Sequence, residues 1–257
     1  MEIGEQDDAR GSESVEGLRG QGRTVSARIR HEDRGPLAGR RLYLCTPDRP
    51  DLADFVATCI SGGVDVVQLR DKGLEARAIL RRAALVQQVC NQLDVPFILN
   101  DRPDLALEVG ADGVHVGQDD APPFLARRIL GPFAIIGLST HAPEELEHSE
   151  VEPIDYISAG PVVETPTKPG RPGTGVGYAT IAVREAEALS RPVFVTGGVT
   201  PSTVPDLAAA GVRHFVVVRW LTEADDPAAA ARMLRRAIDS SIESAEQAVS
   251  EGNAFSL

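Results

Sequence analysis

The chain has 257 residues, a formal net charge of −12, 42% hydrophobic and 25% charged residues, the size and composition of one (β/α) barrel or two small globular domains with a real core. So acidic a chain has no general affinity for nucleic acid or anionic membrane, and an anion site on it must be a local basic patch. Its cysteines, Cys45, Cys59 and Cys90, are odd in number and form no C-x-x-C pair, which speaks against a zinc site or a disulfide framework and for a reducing cytosol.

Met1 to about Gly39 is rich in Gly, Glu, Asp and Arg without sustained apolar periodicity. It is expected to be a disordered, inert tail whose removal leaves activity intact. It lacks the apolar centre of a signal peptide, and its early acids, Glu2, Glu5, Asp7 and Asp8, are unlike a transit peptide. Nowhere are there the roughly 18 unbroken apolar residues of a membrane helix.

From there the chain alternates. Arg41 to Thr46 reads as a strand and Leu52 to Ile60 as a helix closed by Ser61-Gly62-Gly63, a C-cap signal. Val64 to Asp71 is the next strand and Glu75 to Leu93 a long amphipathic helix, with Ile79, Leu80, Ala83, Val86 and Cys90 on its stripe. Strands then read at Pro96 to Asn100, Gly113 to Gly117, Ala134 to Ser139 and Ile154 to Gly160. Helices Asp104 to Val109, Phe124 to Leu130 and Pro143 to His148 lie between them. Val162 to Val176 is a loop too dense in Pro, Gly and Thr to be core. Tyr178 to Leu189 is a helix, Pro192 to Val199 a strand, Thr203 to Ala210 a helix, His214 to Trp220 a strand and Pro227 to Ile238 the last helix. A polar tail over residues 240–257, extending that helix before fraying, completes the chain.

Strands and helices alternating at this spacing imply parallel pairing, and a single (β/α)8 TIM barrel over residues 40–239 is the expected fold. A doubly wound open sheet is the competing topology. In a barrel the chemistry sits at the C-terminal strand ends, and the polar residues of this chain gather there. Gln68, Arg70 and Lys72 alternate at the second strand end, so their side chains share a face. Asn100-Asp101 close the third strand, Gln118-Asp119-Asp120 follow the fourth, and Ser139-Thr140-His141 end the fifth. Thr165-Pro166-Thr167-Lys168 fall in the long loop, Gly197-Gly198 end the seventh strand and Val218-Arg219 the eighth.

Each of these signals has a plainer reading. The basic strand end is equally a solvated end with mixed charge; Asn100-Asp101 is a turn, and Asp120 a helix N-cap. Gly197-Gly198 is either a strand end or a close backbone approach to phosphate, and the long loop either a connector or a lid closing on an anion. His115 and His141 are more simply packing residues than acids or bases. Together, two carboxylates on one rim facing cations suggest Mg²⁺ shared with phosphate oxygens.

Read together, Q-L-R-D-K at 68 to 72, N-D at 100 to 101, G-V-H-V-G-Q-D-D at 113 to 120, G-L-S-T-H at 137 to 141, T-P-T-K at 165 to 168 and T-G-G-V at 196 to 199 resemble the thiamine-phosphate synthase family. The resemblance covers about Arg40 to Ile238. It implies a transferase that condenses 4-amino-5-hydroxymethyl-2-methylpyrimidine diphosphate with 4-methyl-5-(2-phosphoethyl)thiazole, with Mg²⁺ as cofactor. It further implies that Gln68, Leu69, Arg70, Asp71, Lys72, Asn100, Ser139 and Lys168 hold the pyrimidine diphosphate and that Asp101 and Asp120 hold Mg²⁺. Thr165, Pro166 and Thr167, with Gly198, Val218 and Arg219, would hold the thiazole phosphate, and Arg70, Lys72 and Lys168 would carry the catalytic charge. Many members have Ser where this chain has Arg219. The partners expected are small molecules, with no nucleic acid or membrane and with homo-oligomerisation left open. A thiazole tautomerase-like barrel, a phosphosugar isomerase and a non-catalytic phosphate-ligand binder are the alternatives.

Overall fold

The computed structural model of the chain describes Leu37 and residues 39–166, 170 and 172–254. The tail read as disordered therefore lies, up to residue 36, outside the described residues. The strands are β1 Leu42–Thr46, β2 Val66–Leu69, β3 Phe97–Asn100, β4 Gly113–Val116, β5 Ile135–Thr140, β6 Tyr156–Ala159, β7 Val193–Val195 and β8 His214–Val217. The helices are α1 Leu52–Ser61, α2 Ala76–Leu93, α3 Pro103–Val109, α4 Pro123–Leu130, α5 Pro143–Ser149, α6 Gly175–Ala188, α7 Val204–Ala209, α8 Arg219–Thr222 and α9 Pro227–Ala254. Every strand pairs in parallel with the next, and β8 closes against β1. This is the expected (β/α)8 barrel, not the open sheet.

The period-2 alternation of strand side chains divides the core into two. Leu42, Leu44, Val67, Leu69, Phe97 and Leu99 point outward and pack under the helices. Tyr43, Val66, Ile98, Ile135, Tyr156, Phe194 and Val216 point inward and fill the barrel. Its waist is aromatic: the Tyr43, Tyr156 and Phe194 rings meet with centroids 5.3 to 6.0 Å apart. Gly137 makes room for this cluster, since a Cβ there would lie 2.0 Å from Tyr156 Cζ.

The N-terminal face is held by a repeated aspartate. Asp65, Asp112 and Asp155 each immediately precede an even-numbered strand and accept a backbone N–H from the strand before. Asp65 takes Leu42 N at 2.9 Å, Asp112 takes Phe97 N at 2.9 Å and Asp155 takes Ile136 N at 2.7 Å. Arg235 on α9 adds a bond to Asp65 at 2.7 Å, and Arg127 on α4 one to Asp155 at 2.8 Å.

Four boundaries differ from the sequence reading. Leu37, placed in the tail, is 1% exposed inside the barrel cluster, so the folded unit starts before residue 40. β8 ends at Val217 because Arg219–Thr222 coils into the short helix α8. α9 continues to Ala254, the helical extension read from the sequence, but it buries Ile242, so the first turn of the stretch assigned to the tail belongs to the core. Val162, assigned to a loop outside the core, is buried and bonded through its N–H to Thr196 O at 2.8 Å. Among the described residues no helix is long and apolar enough to cross a membrane.

Candidate active site

The C-terminal strand ends open into a cavity of about 810 Å³. Its walls include Gln68, Arg70 and Lys72 from β2 and the turn after it, and Asn100 and Asp101 from β3. Asp120 and Ser139 come from the β4 loop and β5, Thr165 from the long loop, Gly198 from the β7 loop, and Val218 and Arg219 from the β8 end. The alternation read in Q-L-R-D-K thus delivers three side chains to one space.

It also sends two residues elsewhere. Leu69 is 2% exposed in the outer core, and its side chain packs under the helices, away from the cavity. Asp71 accepts from Gly73 N at 2.9 Å and Asp48 N at 3.3 Å, so it shapes the turn after β2 instead of lining the cavity. Pro166 is exposed and not part of the wall. Thr167 and Lys168 lie outside the described residues.

Asp101 is the geometric centre of the mouth. It sits at φ 61°, a left-handed backbone conformation, in a three-residue turn closed by Arg102 N–H to Asn100 O at 2.8 Å. Such a conformation costs about 1–2 kcal/mol for a non-glycine residue, and the turn is held by Asp101 N donating to His115 O at 2.8 Å. Lys72 Nζ pairs with Asp101 Oδ2 at 2.9 Å, and the Asp101 and Asp120 carboxyls are within hydrogen-bonding reach of each other. Burial and the adjacent Asp120 push Asp101 above the ordinary carboxylate range, with Lys72 opposing. Burial acts the same way on Asp120, but the bond shared with Asp101, the Gly117 N–H and the Lys72 charge hold it below that range. Two carboxyls this close disfavour being ionised together unless a cation lies beside them. Among the described residues no group of three or more His, Cys, Asp or Glu gathers as a metal cluster, so a cation here would be held by this pair and by ligand oxygens.

On the wall, the Arg70 and Arg219 guanidiniums form no hydrogen bond or ion pair with any described residue. Arg219 is exposed on α8 and not at a strand end as read from the sequence. Gly197 and Gly198, at φ 94° and 73°, bring the β7 turn against Pro161 and Val163: a Cβ on Gly197 would lie 2.5 Å from Pro161 Cβ. The long loop is closed at its base, with Thr174 N bonded to Pro161 O at 2.7 Å and Gly175 N to Val162 O at 3.0 Å.

The sequence reading did not identify the floor of the cavity, where Tyr43, Cys45 and Tyr156 meet Gln68 and His115. The signal was in the register: Tyr43 and Cys45 alternate with outward Leu42 and Leu44, which puts both on the inner face. His141, read as a packing residue, bonds through Nδ1 to Gly160 O and through its backbone N–H to Glu145 Oε2 at 2.7 Å.

Residues 42–221 match the family described as thiamine monophosphate synthase. The thiamine-phosphate synthase of Mycobacterium sp. strain JLS is 44% identical over 219 residues, covering 79% of this chain and 95% of its own length. That of Thermobifida fusca is 45% identical over 205 residues, covering 78% and 93%. Among solved structures, thiamine phosphate pyrophosphorylase from Pyrococcus furiosus superposes with a TM-score of 0.70 at 29% identity, over 79% of this chain and 97% of its own. The barrel, its polar mouth and these likenesses agree: the chain belongs to the thiamine monophosphate synthase family.

Proposed function

We propose that this barrel joins 4-amino-5-hydroxymethyl-2-methylpyrimidine diphosphate to 4-methyl-5-(2-phosphoethyl)thiazole, giving thiamine phosphate and diphosphate. The observation that carries the reading is the set Lys72, Asp101 and Asp120 beside the Arg70 guanidinium, which has no partner among the described residues. Two partly desolvated carboxyls that repel each other are where a divalent cation fits, so Asp101 and Asp120 would hold Mg²⁺. When bound, that ion supplies positive charge against diphosphate oxygens.

The side chains do the rest by charge and position. Arg70 and Lys72, with Lys168 as their proposed third member, bind the diphosphate and stabilise the charge that builds on it. The bond between the exocyclic methylene carbon and the diphosphate oxygen breaks, and its electron pair leaves on the diphosphate. The electron-rich aminopyrimidine carries the positive charge until the thiazole nitrogen donates its lone pair and forms the carbon–nitrogen bond. No protein nucleophile is needed. Gln68, Asn100 and Ser139 orient the pyrimidine diphosphate; the glycine turn at Gly198, Val218 and Arg219, with Thr165 and Thr167, hold the thiazole phosphate so that its nitrogen faces the cation. Closure of the long loop would keep water from capturing that cation. The three cysteines are buried thiols outside any disulfide, which suits a cytoplasmic enzyme of small molecules, whether alone or as a homo-oligomer.

The test is diphosphate release on mixing both phosphorylated heterocycles, with and without Mg²⁺. Release that needs both heterocycles and the metal is the expected result. No release, or conversion of the thiazole phosphate alone, would overturn the assignment, the latter in favour of a tautomerase.

A further inference from the structure

Across the barrel floor six buried side chains form one unbroken chain. Cys45 Sγ donates to Gln68 Oε1 at 3.1 Å, and Gln68 Nε2 donates to the Tyr43 hydroxyl at 2.8 Å. The Tyr43 and Tyr156 hydroxyls are 3.0 Å apart. The Tyr156 hydroxyl is 2.9 Å from His115 Nδ1, and His115 Nε2 is 2.9 Å from Ser139 Oγ. These residues are between 0% and 8% exposed, so each donor needs an acceptor within the chain or in the cavity.

That requirement sets a direction. The Tyr43 oxygen already accepts from Gln68, and its own proton has the Tyr156 oxygen as partner. Tyr156 accepts it and donates to His115 Nδ1. An imidazole that accepts at Nδ1 carries its proton at Nε2, and that proton goes to the Ser139 oxygen. Ser139 is left with a hydroxyl proton and no acceptor among the described residues, on the wall of the cavity. Reversing the chain would require Gln68 to turn its amide and direct Nε2 at sulfur, a weak acceptor. It would also make Ser139 give its proton to His115 and show only lone pairs to an anion.

We propose that His115 is a positioning residue, fixed by Tyr156 as the Nε2–H tautomer, and that it thereby makes Ser139 an obligate hydrogen-bond donor to a diphosphate oxygen. This rests on the reading above of Ser139 as part of the diphosphate site. The two are separable, because the tautomer belongs to the unliganded full-length protein and is measured without substrate.

The experiment is ¹⁵N nuclear magnetic resonance of the histidine-labelled chain, with the His115 signals identified as those lost in His115→Asn. Wild type should show a neutral ring protonated at Nε2. Tyr43→Phe should keep that tautomer, since the Tyr156 proton still has only Nδ1 to bond; Tyr156→Phe should lose it. A wild-type ring protonated at Nδ1, or at both nitrogens, would overturn the assignment whatever becomes of the variants. Inorganic diphosphate titrated into the same proteins gives the second readout. Tyr156→Phe and Ser139→Ala should each weaken binding about tenfold, the worth of one oriented hydrogen bond to a charged group. The double variant should bind no more weakly than Ser139→Ala, and additive losses would show that Tyr156 acts by another route. Should the coupling assay fail while the tautomer and the non-additivity hold, the relay stands and the choice of substrate falls.

Discussion

Lys72 Nζ lies 2.9 Å from Asp101 Oδ2, and the same Asp101 carboxyl is in hydrogen-bonding reach of Asp120. One cation and two acids from three successive strand ends therefore meet at a single contact. In the proposed reaction, diphosphate oxygens would compete with Asp101 for Lys72, and a divalent ion would offset the repulsion between the two acids. Without ligands, Lys72 already partly offsets the two acids.

Replacing Asp101 by Asn keeps a residue that tolerates the left-handed turn but removes the charge. Turnover at saturating heterocycles and Mg²⁺ should fall about a hundredfold or more, as when a charge-stabilising group is lost, while the thermal midpoint stays close to wild type. Lys168→Ala should lower turnover to a similar degree. Steady-state assays with a thermal melt on the same samples distinguish this from misfolding, and near-normal turnover would remove these residues from the mechanism.

Leu37 divides the N-terminal segment into a dispensable part and a structural part. Deleting residues 1–35 should change neither stability nor turnover. Leu37→Ala should cost about 2–5 kcal/mol, the range for emptying a buried leucine site, and deletion through Gly39 at least as much. Urea denaturation of the three variants checks it, and equal stability of the two deletions would refute the distinction.

Asp65 offers a pH signature. Burial raises its carboxyl above the ordinary range, despite the N–H groups of Arg41 and Leu42 and the nearby Arg235. A raised folded-state value means the native protein binds the extra proton, so the stability Asp65 contributes is full below the ordinary carboxylate range and declines as pH rises through the raised value. The stability gap between wild type and Asp65→Asn should therefore shrink over that window. A gap that widens with pH would reverse the sign. Asp65→Ala leaves the Arg41 and Leu42 N–H groups without their acceptor, while Arg235 keeps Asp239, and should cost about 1–3 kcal/mol.

Arg219 faces the cavity with no partner among the described residues. If it grips the thiazole phosphate, Arg219→Ser should raise the KM for that substrate about tenfold, the worth of one charge-assisted bond. The KM for the pyrimidine diphosphate should not move. Equal effects on both constants would assign Arg219 a general role at the mouth.

Much of this was legible in the linear chain because strands have a strict period. Gln68, Arg70 and Lys72 share a face for the same reason that Leu69 leaves it, although the five-residue motif had suggested that all of them contact substrate. The β8 end was misjudged because Val217, Val218 and Trp220 look like one apolar run, while the chain turns into α8 at Arg219. Leu37 was lost in a polar neighbourhood that carries no period of its own. The floor network could not be read as a network: its links join residues up to 113 positions apart, and only closure of the barrel brings Tyr43 to Tyr156.

Leu37 has one more effect. With Ile135, Phe194 and Val216 it joins the apolar cluster inside the barrel, while the polar cavity of the described residues lies at the C-terminal strand ends. On the proposed reaction, two heterocycles come in and two products go out there, and a product still lodged there would keep the next pair of substrates out.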